Sequence, residues 1–145
     1  CVQGAVAWFG VYNLASIAAQ ARESGALSRD VPDAPEWRLL RCFANQCLPG
    51  EIAAASPVTH VDPSDPPLLL IAGSRDETVP MEQTLEMMAY LDAAGVGHEL
   101  LLLSGVGHHL IGETHEKTEE ANLRALMRTV DFIERITERA PRQPR

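Results

Sequence analysis

Two short apolar runs stand out along the chain, residues 68–72 (LLLIA) and 99–103 (ELLLL). Runs of this length without polar alternation suit strands that are buried on both faces, as in a parallel sheet. The opening segment from Val2 to Phe9 (VQGAVAWF) has the same character and stops at Gly10, so it reads as another buried strand. Elsewhere apolar positions return every three or four residues. Residues 14–22 read as a short helix stopped near Gly25, and residues 28–35 as a polar loop with two prolines. Residues 36–43 put Trp37, Leu40 and Phe43 on one side of a helix. Pro49 and Gly50 punctuate, and residues 51–55 form a short helix that Ser56 and Pro57 end. Pro80 opens a helix to about Ala94, with Leu85, Met88 and Leu91 as its apolar stripe and Gly95 as its stop. The last helix covers 119–136, with Leu123, Leu126, Met127, Val130, Ile133 and Ile136 in rhythm. Residues 139–145 read as a polar tail.

This alternation of strands and helices specifies the α/β class, a parallel sheet with helices on both faces. A length of 145 residues is enough for one core. Three strands make a small sheet, however, and the stretch from Val2 to Phe9 is too apolar for an exposed edge, which would invite aggregation. The expectation is that further strands, from residues outside these 145, pack beside Val2 to Phe9.

Charge narrows the partners. A formal charge of −8 argues against nucleic acid and anionic membrane surfaces, which need clustered Lys and Arg. No apolar run approaches the 18 or so residues of a membrane-spanning helix. The three cysteines, Cys1, Cys42 and Cys47, give neither a disulfide framework nor a zinc spacing, and a local Cys42–Cys47 bridge stays open. His108, His109, His115 and Glu116 cluster in sequence but fit no zinc pattern. No metal or cofactor is expected.

The chemistry concentrates in two loops. Residues 73–80 (GSRDETVP) follow one strand, and residues 105–110 (GVGHHL) follow the next. Parallel strands end on the same edge of a sheet, about 4.8 Å apart, and open α/β sheets place their sites there. A carboxylate on the first loop can therefore meet an imidazole on the second. That pair is what an activated serine requires: a His poised near neutral pH as base, and an Asp that fixes its tautomer.

Here a resemblance becomes specific. GSRDETVP resembles the G-x-x-D-x-x-V-P segment after the seventh strand of α/β-hydrolases, and GVGHH the glycine-flanked histidine turn after the eighth. AVAWFGVYNL is similar to the sixth strand and its following loop, where relatives often carry Asp at the place of Asn13. AASPVTHVDPSDPPLLLIAG resembles the approach to the seventh strand. The nearest branch is the esterases related to prolyl oligopeptidases and to feruloyl-esterase-like carboxylesterases. The resemblance implies a Ser-His-Asp hydrolase of small carboxylic esters, with Asp76 as acid and His108 as base. It also implies that residues 1–145 are the C-terminal half of one α/β-hydrolase domain, with residues 28–56 as a candidate lid, and that the N-terminal half, an upstream segment or a companion chain, packs beside Val2 to Phe9. His109, where relatives often have Gly, competes with His108.

Other readings stay open. Asp76 could cap the following helix, and His108 could be an ordinary loop residue. His60, His98 and His115 read as structural or exposed. Trp8 and Tyr12 could line an acyl pocket, with core packing the stronger reading for Trp8; Trp37 and Phe43 could belong to the lid or pack as plain helix residues. The nucleophile is missing: none of Ser16, Ser24, Ser28, Ser56, Ser64, Ser74 and Ser104 has Gly at both −2 and +2, as the G-x-S-x-G elbow requires. Serine and oxyanion hole must come from outside these residues. A peptidase or amidase of the prolyl-oligopeptidase type is the alternative within enzymes, and a non-catalytic interaction module the alternative outside them.

Overall fold

The structure, a computed structural model, describes residues 2–29, 31–43 and 46–139. Cys1 and the tail beyond residue 139 lie outside the described residues. The sheet has three strands in the order β1 (Ala5–Trp8), β2 (Leu68–Gly73) and β3 (His98–Leu103), all parallel. Ala5 to Trp8 lie opposite Leu68 to Ile71, and Leu68 to Gly73 opposite His98 to Leu103. The central strand β2 is sealed from Leu69 onward, as its unbroken apolar run requires.

Side chains of a strand alternate between faces, and β2 shows the consequence. Leu70 points into one core with Tyr12, Val58, Met87, Leu91 and Val96. Leu69 and Ile71 point into the other with Leu103, Ala121, Ala125 and Phe132. The first face is covered by α4 (Met81–Ala94), against which α1 (Ile17–Ser24) packs, and the second by α5 (His115–Arg139). Gly25 and Gly95 end α1 and α4 as C-caps.

Between β1 and β2 run α2 (Pro35–Leu40), α3 (Pro49–Ala55) and a 3-10 turn, Pro57–His60. Pro49 and Gly50 do not stand outside a helix but form the first turn of α3, where proline's fixed φ and missing N–H cost nothing. Cys42 and Cys47 are joined by a disulfide between α2 and α3, with Cα atoms 5.4 Å apart. The Arg29–Glu36 ion pair, 3.6 Å and buried, ties the preceding loop to α2.

The two long helices differ in how far hydropathy predicts their buried face. In α4 Leu91 is buried and Met88 packs against the same core, joined by Met87 and the polar Gln83 and Thr84, while Leu85 is exposed. In α5 the residues against the sheet are Ala121, Ala125 and Phe132, joined by Ile136, whereas Leu123, Leu126, Met127, Val130 and Ile133 are exposed. Small residues lie against the sheet because they bring the helix axis close; the large apolar residues are left on another flank.

Candidate active site

The turn after β2 begins with a close approach. A Cβ on Gly73 would collide with the Val106 carbonyl oxygen, so only glycine lets the two strand ends come this near. The turns are then stitched together: Ser74 N–H donates to Leu103 O (2.9 Å), Arg75 N–H to Val106 O (2.9 Å), and Gly105 N–H to Ser74 Oγ (3.0 Å). Across the front, the Arg75 guanidinium pairs with the Glu113 carboxylate, which also binds Lys117 at 3.0 Å. Lys117 first, and Arg75 second, hold Glu113 below the usual carboxylate range.

This frame fixes Asp76. Its Oδ1 accepts the amides of Thr78 and Val79, both at 2.8 Å, and its Oδ2 faces His108 Nδ1 at 2.8 Å. The two amides precede α4, whose N-cap is Pro80, so Asp76 shapes its own turn and does not cap that helix. A carboxylate only accepts, so Nδ1 carries the proton and Nε2 is left as the basic nitrogen. Burial separates the two roles. The Asp76 side chain is 2% exposed and the His108 side chain 20%. The acid is dry, and the imidazole remains reachable beside an open cleft of about 350 Å³ bounded by Thr78, Gly107, Ile111 and Glu113. A larger cavity, about 480 Å³, lies at the opposite end of the strands around His98, Glu99 and Phe132, far from this pair.

His109 occupies the position where relatives often have glycine, and it has φ 55°, the left-handed region. The next residue, Leu110, is also left-handed at φ 58°. Such residues cost on the order of 1 kcal/mol each. The His109 ring is exposed and lies 4.3 Å from that of His108. It has no carboxylate partner of the kind His108 has among the contacts described, which distinguishes the two imidazoles.

Phe9, which the sequence reading passed over, completes the cluster. Its ring meets His108 edge-on at 4.8 Å and His109 at 5.2 Å, from a backbone held at φ 43° and anchored by N–H donation to Ile71 O at 2.7 Å. Its only sequence signal is its place immediately after β1. Trp8 instead faces α5, donating Nε1–H to Thr129 Oγ1 at 3.2 Å. Tyr12 is buried in the core on the α4 side, and burial pushes its phenol up to about 12; it does not line the cleft.

Gln83 was also missed. It is fully buried on α4, where its Oε1 accepts the amides of Tyr12 and Asn13 (2.8 Å each) and its Nε2 donates to Asn13 O and Gln20 Oε1. It thus locks the turn after β1 to the helix that follows the Asp76 loop. Asn13 donates Nδ2–H to Glu86 at 2.6 Å, a bond that an ionised Asp could not make. His60 bonds Ala54 O, His98 bonds Val96 O, and the exposed His115 pairs with Glu119. Of the serines, Ser74 braces Gly105, and Ser56 binds Leu14 N and Ile52 O. Among the described residues no group of three or more His, Cys, Asp or Glu is gathered for a metal.

The BD-FAE family model matches residues 1–91, and that of the dienelactone hydrolase family residues 49–137. The chain belongs to the α/β-hydrolases. A curated relative, the acylamino-acid-releasing enzyme of Rattus norvegicus, is 31% identical over 86 residues, 54% of this chain and 12% of its own. Among solved structures, a bifunctional GH43-CE protein of Bacteroides eggerthii matches with TM-score 0.70 and 24% identity, over 93% of this chain and 16% of its own. Thermogutta terrifontis esterase 2 phosphonylated by sarin matches with TM-score 0.66 and 23% identity, over 97% of this chain and 46% of its own. The α/β-hydrolase fold of the chain is thereby secure, and the chain spans less than half of each of these proteins.

Proposed function

We propose that this α/β-hydrolase chain supplies the acid and base of a serine esterase, with Asp76 and His108 in those roles. The observation that carries the reading is the 2.8 Å bond from His108 Nδ1 to a buried Asp76 whose other oxygen is held by two backbone amides. A serine on the segment that packs beside Val2 to Phe9 attacks the ester carbonyl while His108 Nε2 takes the hydroxyl proton. The resulting imidazolium is stabilised by Asp76. The tetrahedral intermediate expels the alcohol, which receives that proton from His108. Water, deprotonated by the same nitrogen, then releases the acid and restores the serine. Amides of the serine-bearing segment supply the oxyanion hole. No step requires a cofactor or metal.

One feature supports ester chemistry: the Thermogutta terrifontis neighbour is an esterase that sarin phosphonylates. The test is hydrolysis of p-nitrophenyl acetate by this chain assembled with its serine-bearing segment. His108→Ala is expected to lower kcat by about 10⁴-fold or more. Wild-type turnover in that variant, with unchanged phosphonate labelling, would remove His108 from the mechanism.

The similarity to an acylamino-acid-releasing enzyme favours a second reading, in which the scissile bond is an amide at the end of a blocked peptide. Turnover of acetyl-alanine p-nitroanilide with none of p-nitrophenyl acetate would select it. The His108 and Asp76 roles are the same in both.

A further inference from the structure

Along β1 the side chains alternate as a strand requires. Val6 and Trp8 pack against the core on the α5 side, and Ala7 against the core on the α4 side. Alternation assigns Phe9 to the α4 side, and Phe9 breaks the rule. Its backbone turns left-handed, at φ 43°, and its ring stays on the α5 side with Trp8. A bulky residue takes that conformation only where its surroundings impose it. Here the Phe9 N–H is held by Ile71 O at 2.7 Å, and the redirected ring meets His108.

The other side of this contact is held as firmly. After His108 the chain is left-handed at both His109 and Leu110, and the Leu110 side chain is sealed in the core on the α5 side. Asn122 of α5 donates Nδ2–H to Leu110 O at 3.3 Å, and Gly107 N–H closes the turn onto Ile111 O at 2.8 Å. The strand order gives the contact its meaning. His108 follows β3 and Phe9 follows β1, with β2 between them. Two strand spacings are about 10 Å. The His108 side chain therefore crosses the end of β2, with Asp76 from β2 on its Nδ1 and the Phe9 ring from β1 edge-on at 4.8 Å.

One hydrogen bond fixes the distance between His108 and Asp76 but leaves the imidazole free to tilt about it. We infer that Phe9 is a positioning residue for His108: its ring is the second contact, the one that sets the tilt of the imidazole and keeps water from the bond between Asp76 and Nδ1. The inference rests on the proposed function for the use made of that orientation. In that mechanism one ring orientation must serve three proton transfers at Nε2, from the serine, to the alcohol and from water. A misplacement on the order of 1 Å costs about a hundredfold in rate. His109 also touches His108, but it is exposed, whereas Phe9 is half-buried, packed on the core and bonded to β2. Phe9 is the rigid neighbour of the two.

The test uses this chain assembled with its serine-bearing segment and takes two readouts. One is the proton on His108 Nδ1, which resonates far downfield in proton NMR when shared with a buried carboxylate and exchanges slowly when dry. The other is turnover of p-nitrophenyl acetate. Phe9→Leu keeps apolar bulk on the core but removes the ring edge, so the thermal midpoint should hardly move. Exchange of the Nδ1 proton is expected to speed up about tenfold or more, and kcat to fall roughly 10- to 100-fold with KM within about twofold. Phe9→Tyr keeps the ring and is expected to bring both readouts to within about threefold of the parent. Parental exchange and kcat in Phe9→Leu would overturn the inference, as would a Phe9→Tyr enzyme no better than Phe9→Leu. An inactive enzyme whose Nδ1 proton still depends on Phe9 overturns the esterase reading and leaves the positioning role standing. An active enzyme whose Nδ1 proton is indifferent to Phe9 does the reverse.

Discussion

The turn after β2 and the turn after β3 present their functional side chains in opposite ways. In the first, Asp76 makes three hydrogen bonds, is nearly sealed from water, and sits where glycine at position 73 permits backbone contact with the second turn. In the second, His108 has one bonded nitrogen and a partly open ring, and it is followed by two left-handed residues, neither of them glycine. An orienting acid gains from being immobile and dry. A base must keep one nitrogen accessible to protons that arrive and leave. The contrast is the physical signature of two roles in one hydrogen-bonded pair, and each role can be attacked separately.

The largest effect after loss of His108 itself is expected from Asp76→Asn. It preserves shape but lets the imidazole take the wrong tautomer, so kcat for p-nitrophenyl acetate should fall by roughly 10³- to 10⁴-fold with little change in KM. A loss smaller than tenfold would reduce Asp76 to a loop-shaping residue. Gly73→Ala attacks the contact between the turns. Its Cβ meets backbone, which cannot swing away, and the urea midpoint of the 145-residue chain should drop by the equivalent of about 3 kcal/mol. An unchanged midpoint would mean that the strand ends are not this close.

The smallest effect sharpens the choice of base. His109→Gly removes left-handed strain of about 1 kcal/mol but adds freedom to the unfolded chain, so a net stabilisation of roughly 0.5 kcal/mol is expected. Turnover should stay within a few-fold of the parent. A loss matching that of His108→Ala would transfer the base to His109.

How much of this was legible in the sequence depends on the range of the interaction. The strands and the two loops were readable because apolar runs and the GSRDETVP and GVGHH segments are local. Asp76 and His108 could be placed on one edge because parallel strands allow no other arrangement of their ends. Phe9 escaped because its contact with the histidines depends on the pairing of β1 with β2, far away in sequence. Gln83 escaped because a buried amide that serves two distant N–H groups leaves no periodic trace. The face of α5 was misassigned for a different reason. Hydropathy ranks leucine and methionine above alanine, yet Ala121 and Ala125 lie against the sheet while the larger residues line the open flank. An apolar rhythm reports that a helix buries something, not which of two apolar rows meets its own sheet. The bridge between Cys42 and Cys47 was left open by spacing and is formed in the structure.

The central claim is that Asp76 acts through His108, and a double-mutant cycle on the assembled enzyme tests it most directly. If the two residues form one unit, Asp76→Asn costs about 10³-fold or more in kcat when His108 is present and almost nothing in the His108→Ala background. Losses that multiply, with Asp76→Asn equally damaging in both backgrounds, would contradict the account.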